Sequence, residues 1–106
     1  MCDPGAVIVV FDAELWVWDV RRADTWMFVS LPEPASEEIR ERTAGLRRGF
    51  GSLRVRVAIG GSRWATSIFP GGAGGSYVLP VKQAVRRAEA LDVGSTATVT
   101  VELLDL

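Results

Sequence analysis

Apolar residues alternate along Val7, Val9, Phe11, Ala13, Leu15 and Val17, the period-two signature of a strand with one apolar face. Its other face opens with Ile8 and Val10, passes Asp12 and Glu14, and ends on Trp16 and Trp18. A polar, turn-like stretch follows from Asp19 to Asp24, and TWMFVSL (Thr25 to Leu31) reads as a second strand. Residues 7–31 are therefore expected to form a hairpin. Pro32 and Pro34 end that strand and suit a helix entrance. Ser36 is the expected cap of a short helix through about Ala44, with Glu37 and Glu38 at its positive end and Gly45 as its stop. Glu38 and Arg42 stand four residues apart, close enough to pair.

Leu53, Val55, Val57 and Ile59 alternate with Arg54, Arg56 and Ala58, and Gly60-Gly61 is a two-residue turn signal. Arg63 to Phe69 returns as the next strand, which Pro70 and the glycines break. Ser76 to Leu79 is a short strand, and Pro80 is expected to open a second helix. Val81, Ala84, Val85 and Ala88 give that helix a narrow apolar stripe, and Gly94 closes it. Ala97, Val99, Val101 and Leu103 alternate with Thr96, Thr98, Thr100 and Glu102 in a final strand. The order β-β-α-β-β-β-α-β, with strands outnumbering helices, predicts a mainly β (α+β) single domain over residues 1–106. Its architecture would be a small six-stranded β-barrel with two short helices.

Composition changes this picture mainly by exclusion. The 106 residues are 48% hydrophobic and 24% charged, an ordinary globular balance. No apolar run is long enough to span a bilayer, and an acidic residue precedes the run Ala6 to Phe11, so cytoplasm is the expected compartment. The only cysteine is Cys2, and there is no histidine. That removes the commonest general base and the usual zinc ligands, so neither a metal nor another cofactor is expected. No G-x-S-x-G elbow surrounds any serine, and Ser67 has no histidine to activate it, so an enzyme is not expected.

Net charge is −1, but unevenly placed. Residues 1–39 carry eight acids against Arg21 and Arg22, whereas residues 40–63 carry seven arginines against Glu41. The two segments either neutralise each other or the arginines meet an anionic partner.

Three groups carry candidate chemistry. The glycines of PGGAGGS fail as a phosphate cradle, because Lys82 comes seven residues after Gly75 with SYVLP between them. They read instead as the connection of a hairpin. Lys82 and Arg86 stand four residues apart near the start of the second helix, where two cations could hold a small anion, or simply face solvent. Trp16, Trp18, Trp26 and Phe28 fall at alternate positions on neighbouring strands. They make either barrel core or a stacking platform, with Arg54 supplying a cation and Trp64 and Tyr77 forming the rim. The candidate ligand-binding set is thus Trp16, Trp26, Phe28, Arg54, Trp64, Tyr77, Lys82 and Arg86.

The ordered features Phe11 and Ala13, Trp26 before Leu31-Pro32, and Arg54-Val55 before Gly61 also carry a resemblance. So do Ile68-Phe69-Pro70, then Tyr77-Val78-Leu79-Pro80-Val81-Lys82, with Val85-Arg86 and Gly94 downstream. From Phe11 to Leu103 the chain resembles a bacterial domain-of-unknown-function family, the one numbered 1905. The resemblance implies a β-barrel with an inserted helix and no established activity. After Gly94, Ser95 and Thr96 replace the family's usual acidic residue, so no carboxylate role carries over there. The last third is also similar in element order to the swapped-hairpin fold of AbrB-like regulators, which bind DNA as dimers. The leading expectation is a non-enzymatic binding or interaction module for a small apolar/anionic ligand or a protein partner, monomeric or homodimeric and without a membrane. The alternative is a dimeric nucleic-acid-binding regulator using the arginine-rich 40–63 segment.

Overall fold

A computed structural model describes residues 7–17, 27–42, 52–71 and 75–104. The elements run β1 (Ile8–Glu14), β2 (Met27–Ser30), α1 (Glu33–Arg42), β3 (Leu53–Ile59), β4 (Ser62–Pro70), β5 (Tyr77–Val81), α2 (Gln83–Ala88) and β6 (Thr96–Leu103). This is the order read from the sequence. The six strands form an antiparallel sheet in the order β1-β6-β3-β4-β5-β2, curled into a half-barrel. Its two edges touch where Trp16 and Phe28 exchange backbone hydrogen bonds, each 2.9 Å long. Among the described residues, no helix is long and apolar enough to cross a membrane.

Among the described residues, the main pairing of the first strand is not the expected hairpin over residues 7–31. β1 lies along β6 from Ile8↔Glu102 to Glu14↔Thr96, and the segment after it meets β2 at the Trp16 bridge, while residues 18–26 of that hairpin lie outside the described residues. The reason is complementary length and face. Val9, Phe11 and Ala13 stand directly opposite Val101, Val99 and Ala97, so a seven-residue ladder joins two apolar faces. β2 is only four residues long and stops short of Pro32.

The core is filled from the inward faces the alternation marks: Phe11 and Leu15, then Val55 and Val57, Leu79 and Val81, and Val99 and Val101, with Ile39 of α1. Burying each such side chain contributes roughly 1.5–3 kcal/mol. The β3–β4 turn is made by Gly60 and Gly61, and only Gly60 has positive φ, at 57°. Glycine at the first central position is what a type II′ hairpin turn demands.

Both helices depart from the sequence reading at their starts. α1 begins at Glu33, so Ser36 sits inside its first turn. Ser36 is fully buried, and its hydroxyl accepts the Tyr77 N–H at 3.1 Å, fastening α1 to the start of β5. The pair Glu38–Arg42 forms at 3.9 Å on the exposed face; the expected stop at Gly45 lies outside the described residues.

Pro80 does not open α2 but lies in β5, and the helix starts at Gln83 with Lys82 as its N-cap. Of the expected stripe, Val81 and Val85 are buried, whereas Ala84 and Ala88 are exposed and Arg86 is buried in their place. A helix of six residues has too few turns for a periodic stripe to fix its orientation. α2 ends before Gly94, with Ala90 in the left-handed region (φ 55°). Leu91 donates to the Arg86 carbonyl at 2.8 Å and Ala90 to the Arg87 carbonyl at 3.4 Å, the paired bonds of a Schellman ending.

Candidate ligand-binding wedge between β4 and β5

β4 and β5 pair at only two positions, Phe69↔Val78 and Pro70↔Tyr77. The cause is visible in the hydrogen-bond parity. Gly71 donates to the Ser76 carbonyl at 3.4 Å, and in an antiparallel ladder the bonding positions recur every second residue. Phe69 with Val78 comes next, and Ser67 would follow with Pro80. Proline has no N–H, so the ladder stops there. Pro80 costs β5 nothing on its other side, because Leu31 donates to the Tyr77 carbonyl and the odd-numbered residues of β5 therefore face β2.

Beyond Pro80 the strands part and leave a wedge of about 260 Å³. β4 supplies Trp64, Ala65 and Thr66; the other side is Pro80, Val81, Lys82 and Gln83. The ladder closes one end. At the other, the Ser62 hydroxyl donates to the Glu89 carboxylate at 2.8 Å and ties the end of α2 to the start of β4. Trp64 stands opposite Val57, packed against the core and half-buried, so its ring backs the opening. Lys82 is exposed and forms no ion pair among the described residues.

The structure separates the residues expected to act together. Trp64 and Lys82 share the wedge. Trp16 and Phe28 do stack, with centroids 5.1 Å apart and planes tilted by 30°, and the Trp16 indole N–H donates to Ser30 Oγ at 3.0 Å. They lie on the opposite face of β2 from Met27 and Val29, outside the central core, and Phe28 stands opposite Pro80. Trp26 lies outside the described residues. Tyr77 is no rim residue: it is fully buried, with the Arg40 guanidinium over its ring at 5.8 Å. Its hydroxyl has no hydrogen-bond partner.

Lys82 and Arg86 do not form a shared exposed face either. Lys82 stands in solvent, whereas Arg86 is only 7% exposed. Its Nε donates to the Val81 carbonyl at 3.2 Å, and its Nη2 is buried without a partner. Arg54 is exposed on the outer face of β3 beside Ser67, away from the aromatic pair.

The arginine-rich segment is dispersed. Arg40 turns inward to the Gly75 carbonyl and the Tyr77 ring; Arg42 pairs with Glu38, and Arg56 with Glu102 at 3.3 Å. Arg54, Arg56 and Arg63 share the outer face of β3 and β4, while Arg47 and Arg48 lie outside the described residues. Among the described residues, no cluster of three or more acidic or cysteine side chains is placed to hold a metal ion.

Sequence reasoning missed Pro80 as the residue that opens the wedge. The signal was available, since proline within a strand marks an edge or a break in pairing. None of the curated proteins matches the chain. The family model described as a domain of unknown function, DUF1905, matches residues 11–101, a span that includes β2 and both sides of the wedge, and the chain belongs to that family.

Proposed function

We propose that the chain is a small cytoplasmic, non-enzymatic binding module that holds a compact ligand in the β4–β5 wedge. The ligand has an apolar body and one anionic group. The observation that carries this reading is the break in the ladder at Pro80, which sets Trp64, Pro80 and the exposed Lys82 around one opening. Ligand sites of this kind combine apolar walls with a few polar groups that fix orientation. The chain has no histidine, the commonest general base. Among the described residues, Arg54, Arg56 and Arg63 share an outer face, with Arg56 already paired to Glu102, while Arg40 turns to Tyr77 and Arg42 to Glu38, which narrows the footing of the nucleic-acid alternative.

Native mass spectrometry of the purified protein, combined with tryptophan fluorescence against a panel of small carboxylates and phosphates, tests the proposal. A bound mass and a fluorescence change, both lost in Trp64→Ala, support it. A panel that produces neither in the parent protein refutes it.

A further inference from the structure

The wedge has a recognition element besides its walls and its lysine. By hydrogen-bond parity the backbone N–H and C=O groups of Ala65 and Ser67 point toward β5, and Ala65 lines the opening. Opposite them, Pro80 has no N–H to return. Ala65 is exposed and Ser67 half-buried, so this strand edge is open to a ligand. It is also short, because the Phe69↔Val78 pair bounds it at one end and the Ser62–Glu89 hydrogen bond at the other.

We infer that the ligand is an N-acylated amino acid, either free or as the C-terminal end of a peptide. This rests on the binding reading above and names its ligand class. The ligand's amide pairs with the edge at Ala65 and Ser67 as a residue of an added strand would. Its apolar side chain lies against Trp64 on the core-facing side, and its terminal carboxylate meets Lys82.

Three observations converge on that chemistry. Ser67 and Ala65 are two residues apart on one strand, so their outward groups recur about every 6.6 Å, the repeat of an extended peptide. A cavity of about 260 Å³ falls below the roughly 300–1,000 Å³ of drug-sized sites, which limits the occupant to one or two residues. A single lysine suits a monoanionic carboxylate better than a phosphate, which calls for several donors.

The test uses the ¹⁵N-labelled full chain titrated with N-acetyl-L-leucine, its methyl ester, the analogue with the amide N–H replaced by an ester oxygen, and an acetylated tripeptide ending in leucine. Binding is expected to shift the Ala65 and Ser67 amide resonances and slow their hydrogen exchange. The methyl ester should bind about two- to fivefold more weakly than the acid, and Lys82→Ala should equalise the two. Tripeptide binding as tight as that of acetyl-leucine points to a peptide end, and binding of acetyl-leucine alone to a free metabolite. Binding that leaves the Ala65 and Ser67 amides untouched, or equal affinity for the ester-linked analogue, overturns the inference while the wedge reading stands. Absence of binding by these compounds and by every other panel anion removes both.

Discussion

Replacing Arg86 with methionine should stabilise the protein, although it removes a hydrogen bond and a charge. Arg86 is only 7% exposed, so its guanidinium goes into the interior. Neither ion pair found among the described residues includes Arg86, and Nη2 has no partner. Leaving a buried donor unmade costs about 1–3 kcal/mol, more for a charged group. Against this, the Nε bond to Val81 contributes about 1.5–3 kcal/mol as a bond from a charged donor. The loss of that bond leaves no orphan, since Val81 lies in register with Met27 on β2. Methionine fills similar space with a pliable apolar chain. Desolvation of the charge tips the balance, as in other buried ionic groups replaced by apolar ones. The expected net gain is about 1 kcal/mol, a rise in Tm of roughly 4–8 °C for a chain of this size. Urea denaturation followed by tryptophan fluorescence gives the free energy, and a thermal melt gives Tm. A loss of more than about 1 kcal/mol would mean that Arg86 holds the interior together and that the reasoning about its unpaired edge is wrong.

Three further changes probe other joints. Pro80→Ala returns an N–H opposite Ser67; the new bond, about 0.5–1.5 kcal/mol, roughly offsets the entropy gained by the unfolded chain. Stability should move by less than about 1 kcal/mol, while the new amide becomes protected from exchange and any ligand response of the wedge is lost; free exchange at residue 80 would sink the ladder-break account. Ser36→Ala should cost about 1–3 kcal/mol by stranding the buried Tyr77 N–H, measured by urea titration, and an unchanged midpoint would show that α1 is fastened otherwise. Ala90→Gly should add about 0.5–1 kcal/mol, because glycine accepts the left-handed C′ position that alanine occupies at φ 55°; a lower Tm would contradict the Schellman assignment.

Part of the site was legible because its signals are local. Trp64 stood out as a large ring on an expected strand, and Lys82 as a cation near the start of the second helix. Tyr77 and Arg86 were placed wrongly for one shared reason. A side chain's burial depends on what the rest of the chain brings over it, and neither a four-residue spacing nor a strand end reports that. Arg86 goes inward because Val81 and Val85 are already anchored, and its Nε finds the Val81 carbonyl there. Pro80 was legible as punctuation but was assigned to the helix, because its missing N–H matters only in relation to the strand beside it.

The sequence by itself determined the six strands, the two helices and their order, since alternation at period two and breaks at Gly and Pro act over a few residues. It also marked the inward face of β3 and β6, whereas β1 carries apolar residues on both faces (Ile8 and Val10 against Val9 and Phe11) and only the fold decided which one is buried. Only the tertiary structure decided that β1 lies along β6 rather than folding back on β2, because pairing between residues 8–14 and 96–102 depends on contacts far apart in the chain. It alone decided that β4 and β5 part at Pro80. A missing donor becomes an opening only when a second strand is in register to need it.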